Sequence, residues 1–244
     1  MMHYRRFTFI FLITFFLVYP NHSFSQHILG AISAGVNLSQ VDGDQVYGYD
    51  KVGLNIGPSA IIPFGKNKRW SVTLELLYSQ LGSRQKNVNV SKDTIIKGPY
   101  LYYDGYRLSL NYVQIPVLVH YTDKRFIALG AGFLYGRLVG VSEYESVDDK
   151  QGFVRIDSTT LRGPYSLSDI EVLVDVRVRI YRGFWFDGRY SYTMFPIRTR
   201  IFQNQYFSTL FDRKQYNNVL TFRLVYIFND ILPDKYKKKK KEAD

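Results

Sequence analysis

The chain has 244 residues, 46% hydrophobic, 17% aromatic and 22% charged, with a formal net charge of +11. This composition excludes a disordered polymer, and the absence of cysteine excludes disulfides, thiolate metal sites and cysteine nucleophiles. A mean hydropathy of −0.17 is too polar for a bundle of membrane helices, so the many aromatic side chains need another setting.

His3, Arg5 and Arg6 precede twelve uncharged, mostly apolar residues from Phe7 to Val18. A membrane-spanning helix needs about 20 such residues. The polar stretch Tyr19 to Gln26 follows, with Ser23 and Ser25 at the small positions of a cleavage site, so residues 1–25 are expected to be a secretory signal peptide. At the other end Lys235 and Lys237 to Lys241 face only Glu242 and Asp244, so residues 229–244 are expected to be a basic tail. Nucleic acid is a poor partner for an exported chain. The tail lysines Lys237, Lys238, Lys239, Lys240 and Lys241 are instead candidates for contact with anionic headgroups or a protein.

Between these ends, over 26–228, apolar and polar residues alternate at period two, which predicts an all-β chain. Ile28 to Ser39 is the first strand and Val52 to Ile62 the second; Ser71 to Ser79 is the third. The fourth, Leu110 to Tyr121, is apolar on both faces and contains Pro116, which suggests a bulge. Ile127 to Gly136 is the fifth. In the sixth, Ile170, Val172, Val174, Val176, Val178 and Ile180 alternate with Glu171, Leu173, Asp175, Arg177 and Arg179. Phe184 to Met194 and Leu220 to Phe228 are the seventh and eighth. Eight strands of about ten residues match the length of a tilted strand crossing a bilayer.

The connections alternate in length. Pro63 to Arg69, Thr122 to Arg125 and Tyr181 to Gly183 are short; Val41 to Asp50, Gly82 to Arg107, Gly140 to Leu167 and Ile197 to Asn218 are longer. A soluble sandwich leaves this alternation as coincidence, whereas an eight-stranded antiparallel up-and-down transmembrane β-barrel requires it. The expected location is the outer membrane, with both termini in the periplasm. Phe64, Trp70, Phe126, Tyr181, Phe184, Trp185 and Phe228 would form one interfacial girdle, and Tyr78, Tyr112, Tyr135 and Tyr192 the other.

The segment Asn111-Tyr112-Val113-Gln114-Ile115-Pro116-Val117-Leu118-Val119, with the glycine-rich Ala128 to Phe133 and with Gln215 to Leu220 leading to Tyr226-Ile227-Phe228, resembles the PorT-type outer-membrane barrels of Bacteroidetes. The resemblance implies an outer-membrane barrel, and by its namesake a part in type IX protein secretion and gliding. The last aromatic, Phe228, also resembles the signal read by the barrel assembly machinery.

In this register Glu75, Glu171, Asp175, Arg177, Arg179, Asp187, Arg189 and Arg223 point inward. Four acids against four arginines predict ion pairs that plug a narrow lumen, because unpaired buried charge is costly. Pairing Ile180 with Phe184 across Tyr181-Arg182-Gly183 sets Arg177 opposite Asp187 and Asp175 opposite Arg189. No catalytic, cofactor or metal residues are assigned: His27 and His120 are expected at the short-turn end, and no Ser-His-acid cluster is visible. The expected role is a structural or interaction component, with outer-membrane lipid, secretion-apparatus proteins and the assembly machinery as partners. The alternatives are a barrel binding a ligand or partner through Tyr100, Leu101, Tyr102, Tyr103, Tyr106, Phe202, Tyr206, Phe207 and Phe211 of its loops, and a lipid-modifying enzyme.

Overall fold

The structure is a computed structural model that describes residues 28–44, 46–65, 67–85, 103–124, 126–149, 152–159, 164–203, 210–228 and 230. The signal segment, His27, the lysine tail and the loop residues Tyr100, Leu101, Tyr102, Tyr206 and Phe207 lie outside them. The described residues form eleven strands: β1 Leu29–Asp42, β2 Lys51–Phe64, β3 Trp70–Glu75, β4 Leu77–Arg84, β5 Tyr103–Asp123, β6 Ile127–Asp149, β7 Gly152–Thr159, β8 Ser168–Tyr181, β9 Phe184–Thr193, β10 Arg198–Gln203 and β11 Leu210–Ile227.

Each strand pairs antiparallel with its neighbours, and β1 pairs with both β2 and β11, which closes the sheet on itself. Eight wall positions result, because β3 and β4 share one position between β2 and β5. The strands β7 and β10 belong to hairpins that carry β6 and β11 beyond the wall at the long-loop end.

The faces are inverted relative to a soluble protein. Val172, Val174, Val176 and Val178 of β8 are 40–53% exposed, while Glu171, Asp175 and Arg177 between them are at most 4% exposed. This is the arrangement of a barrel whose outside meets hydrocarbon and whose charges line the lumen. Around the short-turn end Phe64, Trp70, Phe126, Tyr181, Phe184 and Phe228 face outward, and toward the loop end Tyr78 and Tyr135 do so.

Several expectations are corrected. Trp185 and Tyr112 belong to the inward parity of their strands, at 5% and 0% exposure, so neither joins a girdle. Pro116 makes no bulge; the register of β5 shifts instead at Tyr103/Gly105 and Asn111/Tyr112. Pro116 has no N–H to give the neighbouring strand, and that strand is the one interrupted, at Leu76 between β3 and β4. Ile180 does not pair with Phe184. Tyr181 does, and a register shift between Arg179 and Tyr181 leaves a two-residue turn, Arg182-Gly183, with Gly183 at φ 71°.

The long connections are structured farther than expected. Tyr106, Leu108, Leu110, Val141, Tyr165 and Ile197 form an apolar cap over the loop end, so Tyr106 is a buried core residue rather than an exposed loop aromatic. Arg198 stacks over Tyr165, 4.8 Å from its ring centroid, and donates to Glu143 at 3.0 Å. At the opposite end Ala31, Ile61, Ala128, Trp185, Val225 and Ile227 form a second apolar layer.

In the first long connection Asp44 accepts from the Val46 N–H at 2.8 Å. Burial pushes its carboxyl up from 3.8 to about 6. An acid whose folded value is raised favours the folded state below the unfolded value and loses that advantage as pH rises. Protection of the β1–β2 connection from proteolysis is therefore expected to fall between pH 4 and pH 7. D44N, which keeps the acceptor without the charge, is expected to show no such fall; an identical pH profile in both proteins contradicts the assignment.

Candidate functional site

The centre of the lumen is occupied by charge. Alternation puts Asp175 and Arg177 of β8 inside, and register sets them opposite Arg189 and Asp187 of β9. Arg223 of β11 stands opposite Asp187 on one side and Gly35 of β1 on the other. Glu75 reaches the same point from the far wall, at the end of β3.

Glu75 is the hub of the cluster. Its two oxygens accept five hydrogen bonds from three arginines: Arg177 at 2.8 Å, Arg189 at 2.9 and 3.0 Å, and Arg223 at 3.0 and 3.0 Å. Asp187 accepts from Arg223 Nε at 2.9 Å and lies 2.7 Å from its Nη2. Asp175 accepts from Arg189 at 3.1 Å and Arg177 at 3.4 Å. Three carboxylates thus meet three guanidiniums, and the fork geometry of arginine lets each bridge two acids.

The cross-strand neighbours are therefore parts of a network. Arg177 Nε lies 3.3 Å from Asp187 but is not aligned to hydrogen bond with it, since Arg177 spends its Nη2 on Glu75. Double-mutant cycles are expected to give a larger coupling for Arg223 with Asp187 than for Arg177 with Asp187, in urea unfolding of the folded barrel. Equal couplings, or the reverse order, contradict this hierarchy.

Two of the expected luminal charges stand apart from the hub. Arg179 lies at the short-turn mouth, 4.7 Å above the Trp185 ring centroid, and pairs with Asp230 at 2.9 Å, because two further residues along β8 carry it to the barrel rim. Glu171 lies nearer the loop end and accepts from Gln114 at 3.2 Å. Asp169, on the same face of β8, accepts from Asn217 at 2.8 Å and Thr193 at 3.2 Å.

His120 is the residue that sequence reasoning missed. It is 1% exposed inside the lumen, with Nε2 2.9 Å from Asp175 and Nδ1 3.0 Å from the Thr73 hydroxyl. Thr73, His120 and Asp175 thus make a hydroxyl–imidazole–carboxylate relay, brought together from three strands and so not visible in the sequence. The relay is closed to substrate. A Cβ added at Gly130, the residue opposite both His120 and Asp175, would collide with both side chains, so this wall packs directly against them. A nucleophile also needs access, and Thr73 is 0% exposed.

Beyond the hub toward the loop end, Asn37, Asn55, Ser79, Gln114, Ser191 and Thr221 surround a cavity of about 10 Å³, room for about one water. Asn37 links three walls: it donates to Ser79 at 2.8 Å and accepts from Thr221 at 2.8 Å. Among the described residues an apolar cap, polar layers, the arginine hub and a second apolar layer follow one another along the barrel interior.

A family model described as outer membrane protein beta-barrel domain matches residues 24–198. The chain belongs to that family. Its place is accordingly the outer membrane, and the hub just described is the lumen of an outer-membrane barrel. No curated protein matches the chain. Among solved structures it is similar to Ail, the attachment invasion locus protein of Yersinia pestis, at 11% identity and a TM-score of 0.44, covering 82% of this chain and 98% of that one. It is also similar to the outer membrane protease OmpT from Escherichia coli, at 12% identity and 0.42, covering 86% and 99%. Neisserial surface protein A follows at 12% identity and 0.38, covering 82% and 95%. At such distances none of their activities transfers to this barrel.

Proposed function

We propose that this barrel is a non-conducting structural or interaction component of the outer membrane, acting through its two ends rather than through its lumen. The observation that carries the proposal is the Glu75 hub: three arginines from three strands bind one buried carboxylate across the lumen, and in this reading they close it to ions. Eight-stranded barrels have interiors that side chains just fill, and here charged side chains do so. No catalytic role is proposed, because the Thr73–His120–Asp175 relay is sealed within the plug.

In this reading residues 1–25 are removed on export, both termini lie in the periplasm, and the capped loop end faces outward, as the unequal connections favour. The lysine tail, Lys237 to Lys241, then serves as the periplasmic contact with a protein partner or with headgroups. The resemblance to PorT-type barrels supports a narrower reading, a part in protein secretion.

Orientation and partnership are separable by experiment. The chain has no cysteine, so Y47C, at a residue 86% exposed in the first long connection, introduces a single label site. An impermeant maleimide is expected to label it in intact cells; labelling only after the outer membrane is opened reverses the orientation. Deleting Lys235 to Asp244 is expected to leave the barrel folded while abolishing co-purification of cross-linked periplasmic proteins and lowering secreted protein. Unchanged cross-links and secretion refute the tail contact.

A further inference from the structure

A second cluster of cations lies on the outside of the barrel. Arg84 of β4 and Arg107 of β5 stand directly opposite one another, and both are exposed. The Gln85 N–H donates to the Tyr106 carbonyl at 2.9 Å, which makes 85 and 106 a hydrogen-bonded pair. Arg84 and Arg107 are therefore the adjoining non-hydrogen-bonded pair, the type in which side chains approach most closely and like charges destabilise. Lys51 joins them. It is 7% exposed, and its ammonium donates to Ser109 at 2.8 Å, one rung pair below. Burial, and then the Arg107 and Arg84 charges, lower the pKa of that ammonium.

The outward residues beneath this cluster change character along the strands. On β5 Val119, Val117, Ile115 and Val113 face outward and are apolar; Asn111, Ser109 and Arg107 follow on the same face. On β4 Tyr78 is followed by Gln80, Gly82 and Arg84. Six residues at about 3.4 Å each, tilted about 45°, put Arg84 roughly 14 Å beyond the Tyr78 aromatic. That puts the pair beyond the apolar belt, on the side where the charged groups of lipid headgroups lie.

We propose that Arg84, Arg107 and Lys51 form a binding site for the phosphate groups of an outer-leaflet glycolipid, whose anion neutralises the opposed arginines. Two guanidiniums in a closest-approach pair can grip one phosphate from both sides, and the ammonium below supplies a third donor. The proposal rests on the loop end facing outward. Its test uses vesicles with the same lipid in both leaflets, so a wrong orientation, read separately from Y47C labelling, does not mask the result.

The purified full chain is refolded into phosphatidylcholine vesicles with or without rough lipopolysaccharide, and its urea midpoint is read by gel mobility. The midpoint is expected to rise with lipopolysaccharide, not with dephosphorylated lipopolysaccharide, and not with inorganic phosphate. R84Q/R107Q is expected to bind the lipid at least tenfold more weakly by co-sedimentation and to be more stable than the parent in phosphatidylcholine alone, because the repulsion is gone. R107Q alone gives the same signs in smaller measure if the double variant fails to fold, and R84K/R107K is expected to restore part of the binding. Equal binding by R84Q/R107Q, or by dephosphorylated lipid, overturns the site; an equal rise with inorganic phosphate overturns the glycolipid as its ligand.

Discussion

E75A is expected to be the most damaging single substitution in the barrel, lowering unfolding stability by about 3–5 kcal/mol, the scale for stripping one partner from a buried ion cluster. Glu75 is 3% exposed and holds five hydrogen bonds from Arg177, Arg189 and Arg223. Without it three guanidiniums share only Asp175 and Asp187, and the excess positive charge has no solvent to relax into. E75Q keeps the shape and two polar atoms but turns an acceptor into a donor against Arg donors, so it is expected to lose nearly as much. Urea titrations of the vesicle-embedded barrel check both. A loss under about 1 kcal/mol for either variant contradicts the hub.

G130V is expected to cost about 3 kcal/mol, at the upper end for overpacking a filled interior. A Cβ at Gly130 has His120 and Asp175 in its place, and Asp175 cannot swing aside without leaving Arg189 and His120. G188A is the control. The nearest atom to its added Cβ is Phe222 Cδ1 at 3.9 Å, and its outward parity faces lipid, so it is expected to stay within about 0.5 kcal/mol of the parent. Equal effects of the two substitutions contradict the picture of Gly130 as the space that admits the relay.

The fold was legible because the strands that carry charge also carry β-branched residues at alternate positions, as in Ile170 to Ile180, so both faces announce themselves. Register between β8 and β9 was legible too, since Arg177 does face Asp187 and Asp175 faces Arg189. It is reached by a two-residue turn and a bulge, which keep the parity that a three-residue loop has. Convergence on Glu75 was not legible. That residue lies 102 positions from Arg177 and 148 from Arg223, and contacts across a lumen leave no mark in nearest-neighbour pairing.

His120 was missed for a different reason. Its strand is apolar on both faces around Pro116 and Leu118, which hides the alternation. The signal lay in the outward Val113, Ile115, Val117 and Val119, whose spacing puts Tyr112, Gln114 and His120 on the other face. Tyr112 and Trp185 teach the same lesson: an aromatic near a strand end is girdle or core according to parity, not residue type.

A closed lumen is the property on which the proposed role depends. The measurement is the ion current through planar bilayers carrying the purified barrel, once its altered gel mobility before boiling has shown it folded. Current at the level of the bare bilayer is expected across the voltage range. Steady, ohmic steps of conductance through the folded parent protein would contradict a lumen plugged by Glu75 and its arginines.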